Sequence, residues 1–312
     1  MPSLKIQRNF LLKNISSIKI GGRAKYFVEI NSKKDLFEIL KWVKQKNLPI
    51  LIIGNASNIL FSDGFFPGVV IRIKNSKNRK IIKKAKSVVV PSGMLISDFL
   101  NYCLKNQWRG YEWLAGIPGT IGGAVFGNAG AYGQEIGNYV VSVETIDIST
   151  KKVKKYSNRE CHFAYRESIF KAKNEILWNV ELKTIKGKKE QIEKEIKNYF
   201  QERIEKKNFL YPSLGCVFKN ILVEELKNFE EIKKFNPPVR NGKISAGWLI
   251  EQCGLKGKKI GGAMIASFHA NFIINVSHAS SQDVKKLIAL IKEKVFQKFK
   301  IQLKEEIIVF DY

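Results

Sequence analysis

The feature that most constrains this sequence is a pair of glycine-rich segments. Residues 115–133 hold seven glycines around Pro118, and a shorter segment, GNASN at residues 54–58, ends an apolar stretch at 48–54. Glycine lets backbone amides approach a phosphate without an intervening side chain, so the two loops can converge on one pyrophosphate, by helix-terminus or nest chemistry. Ser57, Asn58 and Thr120 can add side-chain donors. The alternative is that these glycines only make tight turns.

The spacing of the glycines argues against the two most familiar nucleotide-binding motifs. No GxGxxG opens a helix after the first strand, and no GK[ST] follows a glycine-rich turn. A Rossmann dinucleotide fold and a P-loop ATPase are therefore not indicated.

The hydrophobic periodicity indicates helices and strands mixed along the whole chain, which places it in the α+β or mixed α/β class. Ser280, Ser281 and Asp283 mark the start of the last helix. A charged helix at 188–207 is predicted to connect two domains. Helices are predicted at 35–46, 96–106, 188–207, 245–252 and 281–299, and strands at 50–54, 69–73, 87–93, 141–148, 270–275 and 306–312.

The charge and the cysteines bear on the class of protein. The formal net charge of +26 is compatible with a nucleic-acid binder, but the lysines are scattered and no RNA- or DNA-binding motif is evident. Compositional drift toward lysine is the interpretation we favour, and such a surface also attracts anionic substrates. With no signal-peptide pattern, no apolar run long enough to span a membrane and no CxxC pair, we expect a cytoplasmic protein with free thiols.

Three further segments carry polar chemistry. YRESIF contains Arg166, SLGCVFKN contains Cys216, Lys219 and Asn220, and LKEEIIV contains Glu306. A guanidinium suits a carboxylate or phosphate, and a thiol can donate a proton. Taken singly, each is equally compatible with an ordinary surface charge or a small core residue. His269, just before a predicted strand, is the most suggestive of the three histidines, although none forms a recognisable triad.

Taken together, these segments resemble the UDP-N-acetylenolpyruvoylglucosamine reductase (UDP-N-acetylmuramate dehydrogenase) family of peptidoglycan synthesis, in its shorter type without an extra substrate loop. Eight segments occur in the family's order: SIKIGGRAKYF, GNASNILFSDG, GYEWLAGIPGTIGGAVFGNAGAYG, YRESIFK, SLGCVFKN, AGWLIEQCGLKG, GGAMIASFHANFIIN and the terminal strand with two glutamates. The resemblance covers nearly the whole chain.

The resemblance implies an α+β fold with an FAD-binding domain of the vanillyl-alcohol-oxidase type in two subdomains, and a C-terminal α+β substrate domain. The expected boundaries are 1–205 (core about 21–187) for the FAD domain, 206–300 for the substrate domain and 301–312 for a strand returning to the active site. The residues implied to bind FAD are Gly54, Asn55, Ala56, Ser57, Asn58, Gly116, Ile117, Pro118, Gly119, Thr120, Gly122, Gly123, Gly130 and Tyr132.

The resemblance also implies the reaction. NADPH reduces FAD and leaves, and the nucleotide sugar then accepts hydride from the flavin at its vinyl carbon. Arg166 and Glu306 stabilise the adjoining carboxylate, Cys216 protonates the alpha carbon, and Lys219, Asn220 and His269 bind substrate. The product is UDP-N-acetylmuramate. No metal, membrane or nucleic-acid partner is implied, and a monomer is expected.

Three positions depart from the commonest family pattern. Cys216 stands where serine is usual, Ala56 where the first loop usually has glycine, and Ile308 where arginine is usual two positions after the glutamate. Because a thiol has an ordinary pKa of ~8.5, activity is expected to fall as the pH rises through the pKa of Cys216.

Two rival functions remain open at this point. Another FAD-linked oxidase or dehydrogenase would share the early loops but lack the C-terminal segments. A basic nucleic-acid-binding protein would bind no chromophore and show a steep salt dependence.

Overall fold

The computed structural model describes residues 4–74, 79–206, 209–226 and 229–312. They form two compact units. The N-terminal unit comprises Met1–Phe10, Ala24–Asn55 and Phe66–Arg203, and the C-terminal unit comprises Leu11–Arg23, Ala56–Phe65 and Ile204–Tyr312.

The strands of the described residues are β1 (Gln7–Leu11), β2 (Arg23–Ile30), β3 (Ile50–Ile53), β4 (Ile59–Phe61), β5 (Phe65–Ile73), β6 (Ile82–Lys83), β7 (Ser87–Pro91), β8 (Gly130–Ala131), β9 (Gln134–Glu135), β10 (Val140–Asp147), β11 (Val153–Ser157), β12 (Glu175–Lys183), β13 (Ser213–Cys216), β14 (Ile221–Leu222), β15 (Val239–Arg240), β16 (Lys243–Ile244), β17 (Lys259–Ile260), β18 (Ala263–Ile265), β19 (Phe272–Asn275) and β20 (Ile308–Phe310). The α-helices are α1 (Lys33–Gln45), α2 (Ile96–Asn106), α3 (Ile121–Phe126), α4 (Lys189–Glu205), α5 (Phe229–Lys233), α6 (Ala246–Gln252) and α7 (Ser281–Phe299).

Two sheets build the N-terminal unit. The first has the order β1-β2-β5-β3, with β3 and β5 parallel, and its apolar face packs against Leu36, Ile39, Leu40 and Val43 of α1. These four residues recur at helical spacing, which explains why this segment forms a helix with one buried face. The Ser32 side chain begins the helix by accepting the Asp35 N–H.

The second sheet of the N-terminal unit has the order β11-β10-β12-β7-β6 and is antiparallel. Helices α2 and α3 contribute to the core beside it, together with the buried segment that carries Tyr111, Trp113 and Leu114. Helix α4 adds Ile192, which is buried, while most of its other residues are partly or fully exposed. This sheet and the two helices therefore hold the longer glycine-rich segment in place.

The C-terminal unit packs α6 and α7 with the antiparallel sheet β13-β19-β18-β17. Its core also receives Ile18, Ile20 and Leu60, and β20 pairs in parallel with β4. For this reason the structure groups 11–23 and 56–65 with the C-terminal unit, although the sequence had placed them in the first domain. The division at Arg203 and Ile204 lies close to the boundary expected at 205.

Most predicted elements are present with small shifts at their ends. Helices α2 and α7 have the predicted bounds, and α7 opens with a capping box formed by Ser280 and Asp283. The predicted strand at 270–275 is shorter and begins at Phe272, and the end of the predicted helix at 188–207 lies partly outside the described residues. The α+β class is confirmed.

The described ranges contain neither a membrane-spanning helix nor a cluster of metal-binding side chains. None of the helices there combines the length and hydropathy needed to cross a membrane. The same residues contain no group of three or more acidic, histidine or cysteine side chains placed to hold a metal ion.

Candidate functional site

The two glycine-rich segments meet in the N-terminal unit. A Cβ atom added to Gly54, just past the end of β3, would lie 2.6 Å from Oγ1 of Thr120. The Thr120 hydroxyl in turn accepts the Gly123 N–H at 3.2 Å and caps helix α3. Only glycine at position 54 therefore lets the two loops approach this closely, as expected for loops that share one ligand.

The start of helix α3 is already hydrogen-bonded inside the protein. The Ile121 N–H donates to Met94 O, the Gly122 N–H to Ser92 O at 2.7 Å, and the Gly123 N–H to Thr120. Binding of a phosphate by the free N–H groups at the start of α3 is therefore not favoured. The preceding backbone offers the other route, because Gly116 (φ 76°) and Gly119 (φ 143°) adopt conformations open to glycine that can form an amide nest.

The first loop departs from a simple turn at Ala56. This residue has φ 48°, in the left-handed region, and is 4% exposed. Its carbonyl accepts the Ser17 N–H at 3.5 Å. The side chain of the preceding Asn55 accepts a hydrogen bond from Arg72 at 2.9 Å, so this amide oxygen serves the fold rather than a ligand.

The end of the first loop is joined to the terminal strand within the C-terminal unit. The Asn58 side chain donates to the carbonyl of Glu306 at 3.1 Å, and the Ile308 N–H donates back to the Asn58 carbonyl at 2.9 Å. The side-chain amide of Asn58 is therefore hydrogen-bonded to the backbone of Glu306. The predicted return of the last strand reaches a residue that was assigned to cofactor binding.

Arg166 lies in a tight turn of the N-terminal unit. Ala164 and Glu167 exchange backbone hydrogen bonds across it, and Arg166 itself has φ 56°. Asn128 anchors the turn by donating to the Ala164 carbonyl at 2.7 Å. A Cβ on Gly130 would lie 3.3 Å from Nη1 of Arg166, so the end of the glycine-rich segment and the predicted catalytic guanidinium are neighbours. Left-handed backbone at a non-glycine residue costs energy and is common at functional sites.

Cys216 and Glu306 are brought together in the C-terminal unit. Cys216 ends β13 and pairs with Phe272 of β19, and the Glu306 N–H donates to the carbonyl of the next residue, Val217, at 2.7 Å. The buried Asn271 holds this segment by both donating to and accepting from the backbone of Phe218, each at 2.9 Å. Two of the three predicted catalytic residues therefore share one local framework.

A cavity of about 420 Å³ in the C-terminal unit collects two of the three predicted substrate residues, Asn220 and His269. The Asn220 side chain accepts the Ala246 N–H at 3.1 Å, at the start of α6. Burial lowers the pKa of His269, with the nearby charges of Lys206 and Lys256 acting in the same direction, so the imidazole is neutral near pH 7. The cavity also presents cations and an aromatic ring, from Arg240, Lys243, Lys256 and Trp248.

The remaining predicted residues lie along the same loops. The Lys219 backbone N–H donates to the carbonyl of Lys304, beside the Cys216 segment. Tyr132 has φ 54°, and its ring stands 4.7 Å from that of Tyr199 on α4. Ser57, Gly116, Ile117 and Gly119 are half-buried, and Pro118 and Gly123 are exposed. Gly122 is buried against Ser92, whose Cβ would be 2.8 Å from a Cβ at 122.

Comparisons with known proteins agree over the whole chain. Residues 204–310 match the family model of the UDP-N-acetylenolpyruvoylglucosamine reductase C-terminal domain, and residues 24–155 match an FAD binding domain. UDP-N-acetylenolpyruvoylglucosamine reductase of Prochlorococcus marinus is 34% identical, and the alignment covers 100% of both chains. The enzyme of Caldanaerobacter subterraneus is 35% identical over 97% of this chain and 93% of its own.

This chain belongs to the UDP-N-acetylenolpyruvoylglucosamine reductase family.

A solved structure supports the same assignment. The crystal structure of the reductase from Thermus caldophilus superimposes with a TM-score of 0.78 at 28% identity, covering 99% of this chain and 100% of that one. The predicted family, the FAD cofactor and the oxidoreductase class are thereby confirmed. FAD fits the residues present, because the two glycine-rich loops meet at Gly54 and Thr120, and Gly116 and Gly119 adopt positive-φ backbone conformations that favour glycine.

Two buried amides that hold the predicted catalytic segments were not predicted from the sequence. Asn128 holds the Arg166 turn from the second glycine-rich segment, and Asn271 holds the Cys216 segment from the loop after His269. Both stand inside segments that carried the resemblance, FGNAG and FHANF. Their only local signal is a polar amide among small or apolar residues, which is typical of a buried side chain that bonds to backbone.

Proposed function

We propose that this reductase converts UDP-N-acetylglucosamine enolpyruvate to UDP-N-acetylmuramate with NADPH as the electron donor, acting as a cytoplasmic monomer. Bound FAD supplies the hydride chemistry. The protein's own task is to bind the nucleotide sugar, support negative charge on the carboxylate beside the vinyl group, and deliver one proton to the alpha carbon. An enol ether is electron-rich, so the addition depends on that electrostatic support.

Arg166 is the residue we assign to the substrate carboxylate. A guanidinium remains charged at all working pH values and can pair with both carboxylate oxygens. Its backbone turn is fixed by the Asn128 hydrogen bond to the Ala164 carbonyl at 2.7 Å, so the backbone that carries the guanidinium is in place before substrate arrives. Glu306 acts with Arg166 in stabilising the carboxylate, from the terminal strand.

Cys216 is the proton donor in this proposal. The observation that carries it is the backbone hydrogen bond of 2.7 Å between the Glu306 N–H and the carbonyl of Val217, the residue after Cys216, because it joins the two segments that carry the acid and the thiol. The thiol must be protonated to act, so the proposal requires Cys216 to remain neutral in the working enzyme.

The cavity beside His269 is the site we assign to the nucleotide. Arg240 and Lys243 lie on either side of an Asn-Gly hairpin turn, whose two central residues have φ 51° and 69°. They offer positive charge to a diphosphate, and the Trp248 ring offers a stacking surface for a base. The neutral imidazole of His269 and the amide of Asn220 suit uncharged hydrogen-bonding groups of the sugar.

The proposal is tested by following the flavin absorbance of purified protein without oxygen. NADPH is expected to bleach the flavin, and the enolpyruvyl nucleotide sugar is expected to restore its colour. Cys216→Ala should leave the bleaching intact and slow the recovery by about 100-fold or more, as expected for loss of a proton donor. Cys216→Ser should recover much of the rate.

Cys253→Ala provides the matched control, because Cys253 is a half-buried thiol at the end of α6 that lines neither loop. It should react as the unmodified protein does. Unchanged recovery in Cys216→Ala would refute the proton-donor assignment. A colourless protein that binds nucleic acid with a steep salt dependence would refute the whole proposal.

A further inference from the structure

A second cavity, of about 310 Å³, lies in the N-terminal unit and has no part in the proposed reaction. It opens where residues 109–113 face the start of α4, and none of the residues assigned to FAD, substrate or catalysis lines it. Glu112, Trp113 and Ile192 form its buried floor, while Arg109 and Lys188 are exposed at its rim.

The floor contains a carboxyl group with one unused oxygen. Glu112 is 5% exposed, and its Oε2 accepts the Gly110 N–H at 2.7 Å. Its Oε1 is buried and has no hydrogen-bond partner among the residues that the structure describes. Burial raises the pKa of Glu112, which reflects the cost of holding an incompletely paired carboxylate there. A ligand that donates a charged hydrogen bond to Oε1 would relieve this cost.

The walls of the cavity suit a cation. The rings of Tyr139 and Tyr199 line it beside the indole of Trp113, and aromatic faces attract ammonium groups. A second acid, Glu195 of α4, also lines the cavity and accepts a hydrogen bond from Gln191 at 3.1 Å. Burial, followed by the charge of Glu195 one turn earlier on α4, raises the pKa of Tyr199.

The rim suits an anion. The stem of Arg109 rests on Gly187, where an added Cβ would lie 3.0 Å from its Cβ and 3.1 Å from its Cδ. Backbone hydrogen bonds fix this contact, since Arg109 donates to Ile185 and Gly187 donates to Gln107, each at 2.9 Å. Arg109 and Lys188 thus bring two positive charges to the lining of the cavity.

We propose that this cavity binds a small zwitterionic amine of the amino-acid class. Its ammonium group donates to Oε1 of Glu112 between the aromatic walls, and its carboxylate pairs with Arg109 and Lys188 at the rim. The two ends of the cavity thus recognise opposite charges, which selects against a simple amine and a simple acid alike.

The proposal is tested by calorimetric titration of the FAD-loaded protein with glycine, 4-aminobutanoate and 6-aminohexanoate, which separate the two charges by increasing lengths. At least one should bind saturably. N-acetylation, which removes the ammonium charge, should weaken binding at least tenfold, and conversion of the carboxylate to the amide should weaken it severalfold. Arg109→Gln should weaken binding of the acid but leave binding of the amide unchanged.

Glu112→Gln should weaken binding at least tenfold. If Glu112→Gln does not fold, Glu195→Gln provides the test, because loss of this second acid should also weaken binding. Glu190→Gln is the matched control, because Glu190 lies on the same helix, is exposed and does not line the cavity. Absence of saturable binding by all three probes would overturn the proposal. Equal affinity of the N-acetylated probe, or unchanged affinity in both cavity variants, would overturn it as well.

Discussion

The contact between Gly54 and Thr120 allows a direct test of how the two glycine-rich loops cooperate. In Gly54→Ala, the new methyl carbon would stand 2.6 Å from Oγ1 of Thr120, and a Cβ essentially never lies within 3.0 Å of such an atom. Thr120 is 5% exposed, so its hydroxyl has little room to move. Moving it also strains the cap that it provides to the Gly123 N–H.

Overpacking of this kind costs about 1–3 kcal/mol of unfolding free energy. Removing the cap alone, in Thr120→Ala, costs about 1 kcal/mol. In the double variant the clash is gone, because Thr120→Ala removes Oγ1 and Cγ2 and leaves only the Cβ of residue 120, which is 3.6 Å from the added carbon. The double variant should therefore be no less stable than Thr120→Ala, which gives a favourable coupling of about 1–3 kcal/mol.

The assay is FAD binding to the apoprotein, followed by flavin fluorescence, alongside denaturant unfolding of each variant. If FAD requires the undistorted loops, the cost of restoring them lowers the FAD affinity of Gly54→Ala by about 5- to 150-fold. Gly127→Ala, in the same segment, is the control, since its nearest neighbour is 3.7 Å away and its φ is −93°. This reasoning would be refuted if the two single substitutions had additive effects on the free energy of unfolding in the double variant. Unchanged FAD affinity in Gly54→Ala would refute it as well.

Three further predictions concern the proton donor and the two units. Cys216→Ser should lose the fall in reductase rate that deprotonation of the thiol causes at alkaline pH, measured as a pH–rate profile at saturating substrate. Although burial opposes it, hydrogen bonds from Lys84 and two serines hold the pKa of Glu181 at about 2. This depressed pKa stabilises the fold above about pH 4.5, and that contribution is lost as the pH falls toward 2. Glu181→Gln should therefore lower the free energy of unfolding by about 1–2 kcal/mol at pH 7, after allowance for solvent screening, and should have no effect near pH 2. Urea unfolding at the two pH values measures the difference. Asp63→Ala should cost about 1–2 kcal/mol in the same assay, because its carboxylate accepts both the N–H and the hydroxyl of Ser281 at the start of α7.

The sequence predicted the elements well wherever a local signal was sufficient. Helix α7 has an apolar face at helical spacing and a capping box in its first turn, so both its ends could be placed. The strand before Gly54 could be placed because Pro49 and Gly54 bound an apolar run, and the structure has β3 at Ile50–Ile53. The residues of the site were reached through the resemblance, since no local pattern links Arg166, Cys216 and Glu306.

What the sequence could not supply is long-range pairing. Asn128 bonds to a carbonyl 36 positions away and Asn271 to one 53 positions away. No local sequence pattern around these residues identifies the partner of either hydrogen bond. The same holds for β4, whose partner β20 begins almost 250 positions later. That pairing draws 56–65 into the C-terminal unit, which local composition could not reveal.

Ala56 shows why a departure from a family pattern need not weaken the fold. Its φ of 48° favours glycine by about 1–2 kcal/mol in the left-handed region. Its methyl group is buried, however, at 4% exposure of the residue, and such burial returns about 0.8 kcal/mol. Alanine also loses less backbone entropy than glycine on folding, by roughly 0.5–1 kcal/mol. These terms nearly cancel, so backbone conformation alone does not demand glycine at 56; a requirement for glycine there would have to come from close approach of the cofactor.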